Sequence, residues 1–414
     1  MNLFTLRTVM SVSEKASSFN LFWLLNYISI ASVSAAIITP ALPKIQSEYA
    51  LGPGTIEWIV SAFLIGYVVG QLIYGPLANR FGRLKALRTG LVINLFGIVI
   101  CLIAALQGSY ELLVSGRLIT ALGSASGLAC TFMLINEWLP ESQRKAAMAY
   151  SVLSFALGIG IAVVVGGLIT EYLHWQVCFW ILLVHGLVML GGTCVFSETL
   201  VHPKPIHVLT IVRDYYAALA SSKLVIFSLV VGCCSAISYC FSAAGPQIAE
   251  ELLKLSAAEY GYWNILNIIG MLLGGLFGKQ LLTRFSANQL IFVGFLGLAV
   301  GILNLLLIWH FAITSTLWFF LITASLYLFG SFLFSGGSFV ASNAIQDKAS
   351  AAAMMSFVNM CFATLSVILM GYLRVNPLLS FIIISSIVWL LAVGLLIVKV
   401  IKIKNTLVLS GDPD

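Results

Sequence analysis

Long apolar stretches alternate with short polar breaks along this chain, and most of the stretches have the length that crosses a bilayer. A spanning helix needs about 20 mainly apolar residues. Such stretches lie near 20–45, 55–78, 87–106, 111–136, 146–170, 175–197, 224–249, 258–282, 289–309, 317–343, 350–373 and 378–399. They predict an all-α integral membrane protein with twelve transmembrane helices and no room for a soluble domain. The first stretch is too long for a signal-peptide core and lacks a convincing small-residue cleavage site, so it reads as an uncleaved span.

The longest polar break, Glu198 to Lys223, contains Pro203, Pro205, Arg213 and Asp214 and divides the chain into six spans and six. The expected organisation is a six-helix bundle over 1–197, a central cytoplasmic connector over 198–223, and a second six-helix bundle over 224–414. A weak repeat supports it: Gly75-Pro76-Leu77-Ala78-Asn79-Arg80-Phe81 after span 2 resembles Lys279-Gln280-Leu281-Leu282-Thr283-Arg284-Phe285 after span 8. Duplicated bundles of this kind typify transporters. Gly66, Gly70 and Gly75, and again Gly270, Gly274 and Gly278, put small residues at helical spacing, which suits either tight static packing or a sliding interface.

Composition narrows the class. The chain is 60% hydrophobic and 9% charged, with mean hydropathy +1.05, where a soluble chain carries about 25% charged residues. A soluble enzyme or nucleic-acid binder is excluded. The eight cysteines fall in apolar stretches without a CxxC pair or a nearby histidine, so no disulfide, metal or other cofactor is expected. No set of nucleophile, base and metal ligands appears within the spans, which argues against a membrane enzyme.

The net charge of +6 is mostly topological. If both termini are cytoplasmic, the inner side collects Arg7, Lys15, Arg80, Arg83, Lys85, Arg88, Arg144, Lys145, Lys204, Arg213, Lys223, Lys279, Arg284, Lys348, Lys399, Lys402 and Lys404. The outer side keeps only Lys44, Lys254 and Arg374. This bias follows the positive-inside rule, leaves Arg117 as an intramembrane cation, and predicts a multi-pass protein of a bacterial-type cytoplasmic (inner) membrane.

The most specific string, Gly70 to Lys85, crosses the end of span 2 into span 3: Gly75-Pro76-Leu77-Ala78-Asn79-Arg80-Phe81-Gly82-Arg83. It resembles the loop signature of the major facilitator superfamily, and the flanking FLIGYVVGQLIYGPL is similar to the Bcr/CflA-type drug:proton antiporter branch. The resemblance implies a major facilitator fold, with two bundles around a central cavity working by alternating access. It also implies a cytoplasmic gate at Gly75, Asn79, Arg80, Gly82 and Arg83. Asn79 stands where the family has an acidic residue. Glu137 is placed like the acid that holds the loop arginines, with Arg80 or Arg83 as its partner, unless it is a solvated surface charge.

Arg117 lies about 10 Å inside span 4, where a charge costs on the order of 2.5–3.5 kcal/mol on insertion scales. The resemblance implies a proton-coupling role; the other reading is an arginine neutralised by backbone carbonyls and span-1 polar residues such as Asn26 or Ser32. Relatives often carry an aspartate where this chain has Ala36, before Pro40-Ala41-Leu42-Pro43, and no Asp or Glu lies near the middle of any span. The candidate proton carriers are therefore Glu57, His185 and the substrate itself. Glu57 also fits an interfacial charge, and His185 a packed neutral side chain. Ala162 and Val163 replace the span-5 Gly-Pro pair of antiporters, predicting a milder kink. Tyr67, Tyr239, Asn264, Asn267, Asn343 and Asn359 either line the cavity or bond neighbouring helices.

The expected function is export of a small amphipathic organic compound, coupled to proton influx, by a monomer in the lipid bilayer. The competing readings are uptake or facilitated transport of an anionic metabolite, amino acid or siderophore, and a non-transporting membrane sensor.

Overall fold

The structure is a computed structural model that describes residues 18–410 except 53, 140, 201, 202, 204 and 374. Arg7, Lys15, Lys204 and Arg374, assigned sides of the membrane above, lie outside the described residues. Among those described, twelve helices are long and apolar enough to span a membrane. They are Trp23–Glu48, Trp58–Phe81, Arg83–Gln107, Tyr110–Trp138, Leu153–Tyr172, Val177–Val195, Ser222–Glu251, Ala257–Leu281, Ala287–His310, Thr316–Ser342, Ser350–Tyr372 and Pro377–Lys399, numbered here as spans 1 to 12. Large apolar side chains such as Phe96, Leu106 and Phe292 remain exposed on their outward faces, as a lipid-facing surface requires.

Span 1 is not one continuous helix. The helix Ser18–Ala36 gives way to a 3-10 turn, Thr39–Ala41, and a short helix, Leu42–Glu48. Pro40 and Pro43 lack the N–H groups that would carry an α-helix through this segment. Span 8 is broken similarly, into Ala257–Trp263 and Ile265–Leu281 around Asn264. Span 5 belongs to an unbroken helix, Glu141–Tyr172, in which Ala162 and Val163 are buried.

The connector holds a helix that its prolines and charges conceal in the sequence, Val208–Leu219. Tyr215, Ala218 and Leu219 turn its packed face toward the protein core, while Leu209, Val212 and Tyr216 are exposed.

The glycine rows pack helices within each half. A Cβ on Gly66 would lie 2.1 Å from the Leu118 carbonyl oxygen of span 4, and one on Gly270 would lie 2.2 Å from that of Ala324 in span 10. Other glycines bring the halves together at the end opposite the Arg80–Arg88 loop. A Cβ on Gly54 would lie 2.2 Å from the Gly371 carbonyl oxygen, and one on Gly167 would lie 2.4 Å from that of Ala257. The Ala257 N–H also donates to Glu171 at 3.2 Å.

Candidate functional site

Span 4 begins at Ser109, whose hydroxyl accepts from the Leu112 N–H, and two turns later it delivers Arg117 into the protein with no exposed surface. The guanidinium Nη1 donates to the Ser34 carbonyl at 2.7 Å, while the carbonyls of Ala35 and Ile59 lie 3.5 Å from Nη2 and Nε. The Phe63 ring stacks beneath it, 4.4 Å from its centroid. The carbonyls in the last turn of an α-helix lack intrahelical partners. Because the first span-1 helix stops at Ala36, Ser34 and Ala35 offer their oxygens, and Arg117 caps the negative end of that helix. Ser32 stands nearby, but its hydroxyl donates to Ser29; backbone, not the Ser32 side chain, holds the arginine.

Arg117 lines a cavity of about 30 Å³, room for a water or two. Span 1 contributes Ser32, Ala36 and Thr39, span 2 Phe63, and span 7 from the other half Tyr239 and Ser242. The cavity thus lies between the halves. Its lining contains one charged residue, Arg117, and no carboxylate.

Of the other candidates, Tyr67 is buried beside this site, stacked 6.5 Å from Phe63. Asn264 and Asn267 are absorbed elsewhere: Asn267 donates to Asn264 at 2.8 Å and accepts from the Thr323 hydroxyl at 2.7 Å, tying span 8 to span 10. Asn343 is exposed at the C-cap of the span-10 helix, where it donates to Phe339. It is a terminal residue, a correction to its expected place inside a span. Asn359 is buried in span 11 with its Oδ1 unpartnered. Gln71, which the sequence reading passed over, has an unpartnered Oε1 in span 2. Spans 2 and 11 pack together, and both amides lie roughly 20 Å along the helix from the closed end at 1.5 Å per residue.

Glu57 sits just before span 2, at the seam between the halves. A Cβ on Gly371 would lie 3.2 Å from the Glu57 Cβ, Gln247 of span 7 stands beside its carboxyl, and burial pushes that carboxyl above the usual carboxylate range. Its Oε2 has no hydrogen-bond partner. His185 is half-buried in span 6, which packs on spans 3 and 1, and it does not line the cavity.

The loop between spans 2 and 3 is built around Arg83. Its Nη2 lies 2.7 Å from Glu137 Oε1, its Nε donates to the same carboxylate at 3.0 Å, and its Nη1 donates to the Ala78 carbonyl. Glu198 is the residue sequence reasoning missed here: it stands in the non-helical chain just past span 6, where the sequence reads as the start of the connector. Its carboxylate accepts from the Arg83 and Leu84 N–H groups at 2.8 and 3.1 Å, serving the unsatisfied donors of the span-3 N-terminus. Gly82 makes room with φ of 116°, and a Cβ there would lie 2.3 Å from Glu198 Oε2. The Thr199 hydroxyl also donates to Glu137. Arg80 is exposed, Asn79 half-buried, and Gly75 is loosely packed, with Met133 3.9 Å from where its Cβ would be.

Known proteins resemble this chain across most of its length. The sequence profile described as Major Facilitator Superfamily matches residues 24–369. The chain is 32% identical over 172 residues to the MFS-type transporter oryF of Aspergillus oryzae, covering 41% of this chain and 35% of that protein. It is 20% identical over 259 residues to the Bicyclomycin resistance protein homolog of Haemophilus influenzae, covering 61% and 63%. These matches span less than two thirds of either relative. Among solved structures, a D-xylose-proton symporter superposes with a TM-score of 0.72 at 15% identity, covering 91% of this chain and 96% of that one. An inward-facing bacterial homolog of the lysosomal transporter Spinster superposes at 0.68, also at 15% identity, covering 93% and 96%. Identities this low speak to fold alone.

Proposed function

We propose that this chain, which belongs to the Major Facilitator Superfamily, exports a small amphipathic organic compound by alternating access. That it is a multi-pass membrane transporter with the fold of this superfamily, and not an enzyme, follows from the profile match and the twelve spans. The direction of transport is our reading, and the likeness to the Bicyclomycin resistance protein homolog supports it.

One observation carries the mechanism: the cavity beside Arg117 is lined from both halves, while the halves meet at one end only a few residues beyond it. A site at the junction of two repeats, alternately opened by rocking them, is how such bundles move a solute. In this reading the positive-inside bias orients the Arg80–Arg88 loop and both termini toward the cytoplasm, so the closed end faces outward. The Arg83–Glu137–Glu198 cluster then serves as the cytoplasmic gate. Protons are the coupling ion in this reading, with Glu57 and His185 as the candidate carriers on the chain.

The test is flux in proteoliposomes holding a pH-reporting dye, challenged with a panel of amphipathic aromatic compounds under an imposed pH gradient. Compound efflux with opposing proton movement is the expected result. Proton movement in the same direction as the compound, or none, overturns the antiport reading, and absence of flux for the whole panel overturns export.

A further inference from the structure

The guanidinium of Arg117 is buried beside the inter-half cavity with no formal counter-charge. Of its five N–H donors, one makes a short bond, to Ser34 at 2.7 Å; the other two carbonyl contacts are at 3.5 Å, the outer limit of a hydrogen bond. A helix C-terminus carries the equivalent of about half a negative charge, and the Phe63 face adds only quadrupole attraction. The positive charge is therefore offset in part. The lining of the cavity supplies hydroxyls from Ser32, Thr39 and Ser242, which donate to their own helices and leave oxygens, not charge, at the cavity. From span 1, Ala36 presents a methyl group to the same space.

We infer that the missing counter-ion arrives with the substrate, and that Arg117 is the binding site for the carboxylate of an anionic amphiphile. The inference rests on the reading of this cavity as the transport site, and it narrows the compound from amphipathic to amphipathic and anionic. A guanidinium recognises a carboxylate through paired N–H···O bonds, and the donors that make only long contacts here are those such a group would take. The apolar remainder of the ligand would lie against Phe63, Phe155 and Ile159 as the halves part. An outward-moving anion is also driven by an interior-negative membrane potential, which suits a bundle with no acid of its own at mid-membrane.

Binding tests this without transport. The full-length protein, purified in lipid nanodiscs, is unfolded thermally with three matched probes at constant ionic strength: 2-naphthoate, 2-naphthylmethanol and 2-naphthylmethylammonium. The expected result is a rise of a few degrees with the carboxylate and none with the alcohol or the amine. Arg117→Gln abolishes the rise. Since that variant can fail to fold, Ala36→Asp provides the second arm: an internal carboxylate occupies the guanidinium, so the variant folds but 2-naphthoate no longer stabilises it. The inference is overturned if the alcohol or amine stabilises the wild type as well as the carboxylate does, if no carboxylate shift occurs, or if the shift survives in Ala36→Asp. Should it fail while the proteoliposomes export a neutral or cationic compound, the exporter reading stands alone; carboxylate binding without flux of any compound removes the exporter reading instead.

Discussion

Arg117 donates to the Ser34 carbonyl across 2.7 Å, and that oxygen is free because the span-1 helix ends two residues later, at Ala36. The proline break and the buried cation are thus one device. Pro40→Ala lets the helix continue, withdraws the carbonyls into i→i−4 bonds and strands a buried charge. We expect it to destabilise the protein by about 1–3 kcal/mol, despite alanine's better helix propensity. In thermal unfolding, Arg117→Met should recover part of the loss in the Pro40→Ala background, a non-additivity that two independent sites would not show.

The Arg83–Glu137 pair has side chains 11% and 33% exposed, so solvent screens one side of it. A double-mutant cycle with Arg83→Ala and Glu137→Ala should return a coupling of about 1 kcal/mol, reduced in high salt. A coupling unchanged by salt would count against a charge-based latch.

Gly82→Ala meets two obstacles together, a backbone φ of 116° and the Glu198 carboxylate 2.3 Å from the new Cβ. The strain should cost about 1–3 kcal/mol. Adding Glu198→Ala relieves the clash but not the backbone term, so the double variant should remain below Glu198→Ala in melting temperature.

Glu57 titrates where the halves meet. Tyr110 is an ionisable neighbour on its own half, and Gln247 and Gly371 face it from the other. Burial raises its pKa in this closed arrangement, so the closed form binds the proton more tightly than a form with the seam parted. The stabilisation is complete below the ordinary carboxylate range and is lost as pH rises through the raised value. Hydrogen exchange at residues 54–60 and 368–372, corrected for intrinsic rates, should therefore quicken with rising pH in the wild type. In Glu57→Gln, which stays neutral, it should not.

Asn267 is bonded at both ends of its amide, to Asn264 and Thr323. Asn267→Ala should lower stability by about 1–2 kcal/mol and leave the relative transport of different compounds unchanged. A changed compound preference would return this residue to the cavity.

The twelve spans were legible in the sequence, because bilayer thickness acts on composition and length alone. The connector helix was not, since its apolar face is twelve residues long and interrupted by Arg213 and Asp214. Asn343 and Asn267 looked alike in sequence; one caps an exposed helix end and the other bridges two spans. Periodicity fixes which residues are apolar enough to enter the membrane, but not which helix lies beside which. Tertiary packing alone brought Ser34 to Arg117, Glu198 to the span-3 N-terminus and Gly371 to Glu57, because each partner is separated by tens to hundreds of residues and is chosen by the close approach of backbones, which no local pattern encodes.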